Sequence, residues 1–465
     1  MFRRFLRGLE RVHLVGIGGT GMSGIAEILL EYDVVVSGSD LALSETTERL
    51  AQLGAEIFVG HAAENVRGAH LVVYSSAVPG SNPEVTEAKR LGLTLVGRAE
   101  MLAELMRLKY GVAVAGTHGK TTTTSLVGAV LTEGGLDPTV IVGGRLRAFG
   151  TGARMGHSEY LVAEADEFDR SFLRLAPVLA VITTIDADHL DTYRDLDEVK
   201  SAFVQFASRV PFFGQVIVCL DDPNVQTILP RLADRPVVSY GFSPQADFVA
   251  RDLVPGPAGT RFTVSHAKAG VLGQLEIPLP GRHNVQNALA AVAVAHALGV
   301  PFESTATALL TFKGVHRRFE LVGQYRGAAV VDDYAHHPVE VEATLKAARQ
   351  AYPSARVHAI FQPHLFSRTR DHAEGFGRAL LLADEAIVTD VYPSREAPIP
   401  GITGELVVEA ARASGHRHVH YCPRWQDAPE PLAGLVAEGD LVLTLGAGDV
   451  YRLARQLAGT AGEAP

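Results

Sequence analysis

The chain has 465 residues, 47% of them hydrophobic, with a formal net charge of −10 and two cysteines. That length predicts roughly three domains, and the hydrophobic content is ample for buried cores. The acidic balance, with no long basic run or aromatic-basic ladder, argues against a nucleic-acid partner. No stretch approaches the ~18 uninterrupted apolar residues of a membrane span. The basic opening "MFRRFLRGLE" leads into no apolar run, so it lacks the pattern of a secretory leader. Cys219 and Cys422 stand far apart in strand-like settings and read as buried thiols, which fits a reducing cytoplasm.

In chain order, short β-branched runs alternate with helical patterns, so the fold class is α/β with largely parallel sheets. "RVHLVGIGG" reads as a strand, "MSGIAEILLEY" as a helix and "DVVVSGSD" as the next strand. Between the first two lie Gly16, Gly18, Gly19 and Gly21, and Asp40 closes the following strand. This has the form of a dinucleotide fingerprint, with an acidic residue about 20 positions on. It places a pyrophosphate against that helix, from NAD or from another nucleotide, with a plain tight turn as the alternative. "HLVVYSSAVP" is a further strand with polar residues at its carboxyl end.

A second α/β series starts at "YGVAVAG" and runs into "GTHGKTTTT". Gly116, Gly119, Lys120 and Thr121 follow a strand and precede a helix-compatible run, the setting a phosphate loop requires. Glycines let backbone N–H groups converge on phosphate oxygens, and a helix N-terminus adds partial positive charge. Lys120 can reach the terminal phosphates, and Thr121 has the hydroxyl that ligates Mg²⁺. The pattern departs from the Walker form, because Val114 holds the place of its first glycine. "VAEADEFD" and "TTIDADHLDTY" then end two strands with Glu164, Asp166, Glu167 and Asp169, and with Asp186, Asp188, His189 and Asp191. Two such strand ends can meet at one crevice of a parallel sheet, where hard oxygens suit Mg²⁺ and a nucleotide triphosphate. A third series begins after "FKGVHRRFELVG" with "AAVVDDYAHHP", "RVHAIFQPH", "EAIVTDVYP" and "DLVLTLGAG". The domains are therefore expected at 1–108, 109–312 and 313–465.

The ordered motifs "GTHGKTTTT", "EADEFD", "ADHLDTY", "GRHNVQNALAA", "HRRFE", "DDYAHHP" and "FQPHLFSRTRD" closely resemble those of the Mur ligases of peptidoglycan synthesis. The likeness covers nearly all of residues 10–450 and is strongest to the branch that adds L-alanine to UDP-N-acetylmuramate. It implies three domains: a Rossmann-like N-terminal domain for the UDP-sugar, a central P-loop ATPase-type domain, and a Rossmann-like C-terminal domain for the amino acid. The resemblance assigns Gly18, Gly19, Thr20 and Gly21 to the UDP phosphates, with Asp40, His61, Ser75 and Ser76 lining uridine and sugar. ATP would lie on Gly116, Thr117, His118, Gly119, Lys120, Thr121 and Thr122, with His283, Asn284 and Asn287 facing the adenine. For that last stretch an Asn-capped helix start is the plain alternative. Thr121, Glu164 and His189 would hold Mg²⁺ or Mn²⁺, Arg318 would stabilise charge on the γ-phosphate, and Asp333 would bind the ATP ribose. Tyr334, His336, His364 and Arg368 would surround the alanine, with His336 as base, while Arg317 reads as a surface charge. Phe168 stands where this branch usually carries a small polar residue.

The implied enzyme is cytoplasmic, a monomer or homodimer. Its nearest rival is a ligase of the same family that recycles a tripeptide onto the same sugar, but "FDRSFLRLAP" runs on without the insertion of that group. A nicotinamide-dependent oxidoreductase leaves the phosphate loop and both acidic clusters without a role. A non-catalytic nucleotide switch has no need of the His- and Arg-rich C-terminal motifs.

Overall fold

The computed structural model describes residues 10–75, 77–146, 151–188, 192–394 and 396–460. By its internal contacts the chain divides into two compact units, one of residues 1–251, 263–273 and 286–312, the other of 252–262, 274–285 and 313–465.

The first unit opens with β1 (Arg11–Val15), α1 (Thr20–Glu31), β2 (Val35–Asp40), α2 (Glu45–Gln52), β3 (Glu56–Val59), β4 (Leu71–Tyr74), α3 (Pro83–Arg90), β5 (Thr94–Gly97) and α4 (Arg98–Arg107). Local chemistry sets several of these ends. Ser44 and Thr47 form a capping box at the start of α2, and Asn82 caps α3, whose first residue is Pro83. The strands form one parallel sheet in the order β3-β2-β1-β4-β5. Strand order reverses at β1, so the glycine turn after it sits where such sheets bind ligands.

The central sheet follows with β6 (Tyr110–Ala115), α5 (Lys120–Glu133), β7 (Thr139–Leu146), β8 (Thr151–Arg154), β9 (Tyr160–Glu164), β10 (Leu179–Ile182), α6 (Leu196–Ala207), β11 (Gln215–Cys219), α7 (Pro223–Ile228) and β12 (Val237–Gly241). Next come β13 (Phe248–Gly256), β14 (Gly259–His266), β15 (Gly270–Ile277), α8 (Arg282–Ala297) and α9 (Phe302–Leu310). The order is β15-β14-β13-β12-β11-β10-β6-β9-β7-β8. The phosphate-loop strand β6 thus lies between β9 and β10, the two strands whose ends carry the acidic clusters. Both faces of these strands are covered, so they read as continuous apolar runs such as "VAVA" and "LAVI".

The second unit contains β16 (Glu320–Tyr325), β17 (Ala328–Asp333), α10 (Pro338–Ala351), β18 (Val357–Phe361), α11 (Phe366–Leu380), β19 (Glu385–Val388), α12 (Glu405–Ala413), β20 (Val419–Tyr421), α13 (Pro429–Leu435), β21 (Leu441–Leu445) and α14 (Tyr451–Leu457). Its sheet runs β16-β17-β21-β18-β19-β20 and is parallel except for β16.

The α/β expectation holds, with three sheets. Cys219 is buried on β11, and burial pushes its thiol up to about 12, which leaves it inert. Cys422 corrects the expectation of two buried thiols. It is only half-buried, and its S–H donates to the Arg424 carbonyl at 3.3 Å. Among the described residues no helix is long and apolar enough to cross a membrane.

Candidate active site

The phosphate loop is built as its residues require. Gly116 has φ +139°, and a Cβ there would fall 2.0 Å from Thr183 Oγ1, so any side chain would push β10 away from the turn. Gly119 takes φ +84° just before α5 and lets the chain enter the helix with its first amides facing outward. The end of β10 holds the loop in shape. Thr117 N–H donates to the Thr184 carbonyl and His118 N–H to Thr184 Oγ1, both at 2.9 Å. Thr117 Oγ1 accepts the Asp186 amide at 2.9 Å, and His118 Nε2 lies 3.6 Å from Asp186 Oδ2. The loop therefore brings Gly116, Thr117, His118, Gly119, Lys120, Thr121 and Thr122 to one strand-to-helix turn, with Thr122 buried in the first turn of α5.

Lys120 Nζ donates to both Glu167 oxygens at 3.0 and 2.8 Å and to the Thr117 carbonyl at 3.3 Å, with Asp166 Oδ1 3.7 Å away. Desolvation alone would lower the pKa of this ammonium, but Glu167, Asp166 and Glu164 together outweigh it and raise the pKa. Lys120 is fully charged. Thr121 Oγ1 donates to Glu164 Oε1 at 3.1 Å, and Glu164 Oε2 accepts the Gly143 amide at 2.6 Å. A hydroxyl and a carboxylate, side by side at a phosphate loop, form a hard-oxygen pair that fits Mg²⁺. His189, assigned to the same metal, lies outside the described residues. On α8, Asn287 stands over Gly119, and its Oδ1 accepts from Thr123 Oγ1 at 3.1 Å.

At the N-terminal glycine turn, Gly18 N–H donates to Asp40 Oδ2 at 2.8 Å, and Asp40 Oδ1 accepts the Leu41 amide. Gly19 precedes α1, which Thr20 begins, and Arg98 from the start of α4 lies against Gly21. Ser75 sits at the end of β4 beside Gly16, while Ser76 lies outside the described residues. His61 follows β3, and its Nδ1 is 3.0 Å from both Ser39 Oγ and Glu84 Oε2. Glu84 escaped the sequence reading because it is separated from these partners by more than 20 residues and looks like an ordinary first-turn helix acid.

In the second unit, "HRRFE" and "DDYAHHP" are tied together. Asp333 is buried, and its two oxygens accept the amides of Phe319 at 2.7 Å and Ala335 at 2.8 Å. Burial raises its pKa to about 6 against the opposing charge of Arg318. Arg318 lies 5.2 Å from the Tyr334 ring centroid. Beside it on α8, His283 is kept neutral, its pKa lowered to about 4 by desolvation and then by Arg318. Asn284 donates to the Pro280 carbonyl at 2.8 Å and is buried.

Arg317 overturns its reading as a surface charge. Its Nε donates to Asp332 Oδ2 at 3.0 Å, its Nη1 to the Gly448 carbonyl at 3.1 Å and its Nη2 to the Gly446 carbonyl. The guanidinium also lies between the rings of Tyr334 and Tyr451, 5.0 and 4.7 Å from their centroids. This pin, with the Phe319–Asp333 bond, holds Arg317 and Phe319 in left-handed backbone at φ +59° and +47°, a strain of roughly 1–3 kcal/mol each.

The four residues assigned to the amino acid come together. His336 contacts Tyr334 at 5.2 Å and His364 at 5.8 Å between ring centroids, and His364 stacks on Tyr392 at 6.0 Å. Arg368 occupies the first turn of α11, close enough for its charge to act on His336. The pKa of His336 is lowered to about 4, first by desolvation; Glu340 opposes this, and Arg368 and Arg318 reinforce it. Its Nδ1 is 3.0 Å from the Tyr334 carbonyl, which can only accept, so the ring carries its proton there and leaves Nε2 bare. Tyr392 and Glu340 were not singled out in the sequence. Glu340 had a signal, as the third residue of a helix that begins with Pro338.

Known proteins are similar to this chain along its length. The sequence profile described as "Mur ligase family, catalytic domain" matches residues 11–110, "Mur ligase middle domain" matches 114–295, and "Mur ligase, glutamate ligase domain" matches 317–448. The chain is 53% identical over 450 residues to a UDP-N-acetylmuramate–L-alanine ligase of Syntrophotalea carbinolica, covering 97% of this chain and 98% of that one. It is 54% identical over 445 residues to the ligase of the same name from Salinibacter ruber, covering 96% and 93%. Among solved structures, a UDP-N-acetylmuramate–alanine ligase from Thermotoga maritima superposes with a TM-score of 0.80 at 30% identity, covering 97% and 98% of the two chains.

Proposed function

The chain belongs to the Mur ligase family, and on that footing we propose that it joins L-alanine to the lactyl carboxylate of UDP-N-acetylmuramate at the expense of ATP, in peptidoglycan precursor synthesis. The observation that carries this reading is the end-to-end likeness to ligases of that name. The phosphate loop fits a nucleotide as that likeness requires.

A carboxylate is a poor acyl donor because its leaving group would be oxide. Attack of the lactyl carboxylate on the γ-phosphate gives an acyl phosphate and ADP; attack of the alanine amine on the acyl carbon then releases orthophosphate. Lys120 supplies a fixed positive charge at the loop, exchanging its Glu167 partner for phosphate oxygens. Thr121 and Glu164 are the assigned ligands of Mg²⁺ or Mn²⁺, with His189 from the resemblance; the ion would neutralise charge on the phosphates. In the second unit His336 is neutral at pH 7, and its Nε2 can accept a hydrogen bond from the alanine ammonium and orient it. With a pKa lowered to about 4 the ring positions the amine rather than holding its proton, which corrects its expected role as base. Arg368 is assigned to the alanine carboxylate, for which a planar guanidinium offers a two-point contact.

We assign 1–108 to the UDP-sugar, 109–312 to ATP and 313–465 to the amino acid, in an enzyme of the cytoplasm. The test is orthophosphate release from ATP with UDP-N-acetylmuramate and each amino acid in turn. Release with L-alanine well above all others supports the reading. Release driven by the tripeptide L-Ala-γ-D-Glu-diaminopimelate and not by alanine would replace it with the recycling activity.

A further inference from the structure

Behind His61 lies a buried polar cluster that the proposed chemistry does not use. Glu84, at the second position of α3, is completely buried. Its Oε2 accepts from Ser39 Oγ at 2.6 Å and lies 3.0 Å from His61 Nδ1. Its Oε1 accepts from Asn65 Nδ2 at 2.6 Å and lies 3.6 Å from Nε2 of the buried His13. His13 in turn places Nδ1 3.0 Å from Ser37 Oγ. Burial would raise the pKa of Glu84, but the polar contacts from His13, Ser39 and Asn65 outweigh it and lower the pKa to about 2. Ser39 has one proton and spends it on Glu84. A carboxylate only accepts, so the proton of the His61 ring stands on Nδ1. Nε2 is then the free acceptor on a side chain that is 17% exposed.

We propose that Glu84 is a positioning residue: it locks the tautomer and orientation of His61 so that Nε2 accepts a hydrogen bond from the uridine part of the sugar nucleotide. This rests on the reading that UDP lies at the glycine turn of Gly18–Gly21. Uridine offers two kinds of donor, the uracil N3–H and the ribose hydroxyls. His13 from β1, Ser39 from β2, and His61 and Asn65 from the segment after β3 converge on the one carboxylate of Glu84, and the half-buried His61 leads from it toward the surface. A carboxylate behind a histidine has the same role at metal sites, where its loss costs ten- to a hundredfold.

The experiment uses the full chain and UDP as the probe. Long-range ¹⁵N spectra of the histidine rings are recorded with and without UDP, and His61→Gln identifies the His61 signals. The expected spectrum has the His61 ring proton on Nδ1, with an Nε2 signal that moves when UDP binds. An Nε2–H tautomer, or an imidazolium at pH 7, overturns the proposal without any variant having to fold. If UDP moves the amides of Gly18–Gly21 but not His61, the proposal falls and the UDP site stands; if it moves neither, the UDP site falls too. Glu84→Gln is expected to raise the Kd of UDP and the KM of the sugar nucleotide about tenfold. The kcat and the KM values for ATP and alanine should stay put, and the tautomer signal should be lost. A folded Glu84→Gln protein with unchanged UDP affinity refutes the role. Weakened binding of CDP alone names the base as the donor, of 2′-deoxy-UDP alone the 2′-hydroxyl and of 3′-deoxy-UDP alone the 3′-hydroxyl; binding of all three as tight as that of UDP contradicts the proposal.

Discussion

Lys120→Ala perturbs the phosphate loop where its chemistry and its stability meet. The ammonium donates to both oxygens of Glu167, which is 1% exposed, at 3.0 and 2.8 Å. Removing one partner of a buried pair leaves the other charge poorly compensated, at a cost of about 3–5 kcal/mol. That loss should appear in urea unfolding followed by a probe in the central sheet. A carboxylate without its cation takes up a proton more readily in the folded state, so the deficit should be largest near pH 8 and shrink as the pH falls. Lys120→Ala/Glu167→Gln removes the stranded charge and should recover most of the lost stability, while amide formation stays abolished and UDP still binds. A single variant within about 1 kcal/mol of wild type at pH 8, or a double variant weaker than the single, would refute the buried-pair reasoning. Wild-type turnover by Lys120→Ala would end the phosphate-loop assignment itself.

Activity should vanish with chelator and return with Mg²⁺ or Mn²⁺, and Glu164→Ala should be inactive or need far more metal; indifference to chelator sinks the Thr121–Glu164 site. Arg368→Lys should raise the alanine KM at least roughly tenfold with the ATP KM nearly unchanged, and a rise in the ATP KM alone would move Arg368 to the nucleotide. His283 and His336 have pKa values lowered to about 4 from the usual 6.5, so the unfolded chain takes up these protons first. Their contribution to stability is complete above about pH 6.5 and drains away as the pH falls toward 4. His336→Gln should flatten that part of the stability curve, and an unaltered slope would count against its buried neutral state.

The readable parts of this molecule were those whose cause is local. The phosphate loop could be placed from sequence because Gly116 and Gly119 occupy backbone that side chains resist, and because β6 is an apolar run buried on both faces. Strands β3 and β5 were missed because short edge strands such as "EIFV" are only half-covered and carry no continuous apolar signal. The β13–β15 extension alternates buried and exposed positions on its inner strand and holds no motif, so nothing set it apart from loop. Arg317 was misjudged for a different reason. Two of the carbonyls that hold it lie some 130 residues away, after β21, and no spacing in "HRRFE" foretells them. The Glu84 cluster is long-range in the same way, with His13, Ser39, His61 and Asn65 converging on it from β1, β2 and the segment after β3.

Activation of the muramic carboxylate by ATP, ready for attack by alanine, is the step on which the proposed function rests. It is tested most directly with UDP-N-acetylmuramate carrying ¹⁸O in both lactyl carboxylate oxygens, incubated with ATP, Mg²⁺ and L-alanine and read by mass spectrometry. The expected products are an alanylated sugar nucleotide that keeps one ¹⁸O in its new amide carbonyl, ADP without label, and orthophosphate with one ¹⁸O from the carboxylate. Label recovered in AMP, or phosphate released unlabelled alongside no alanylated product, would contradict it.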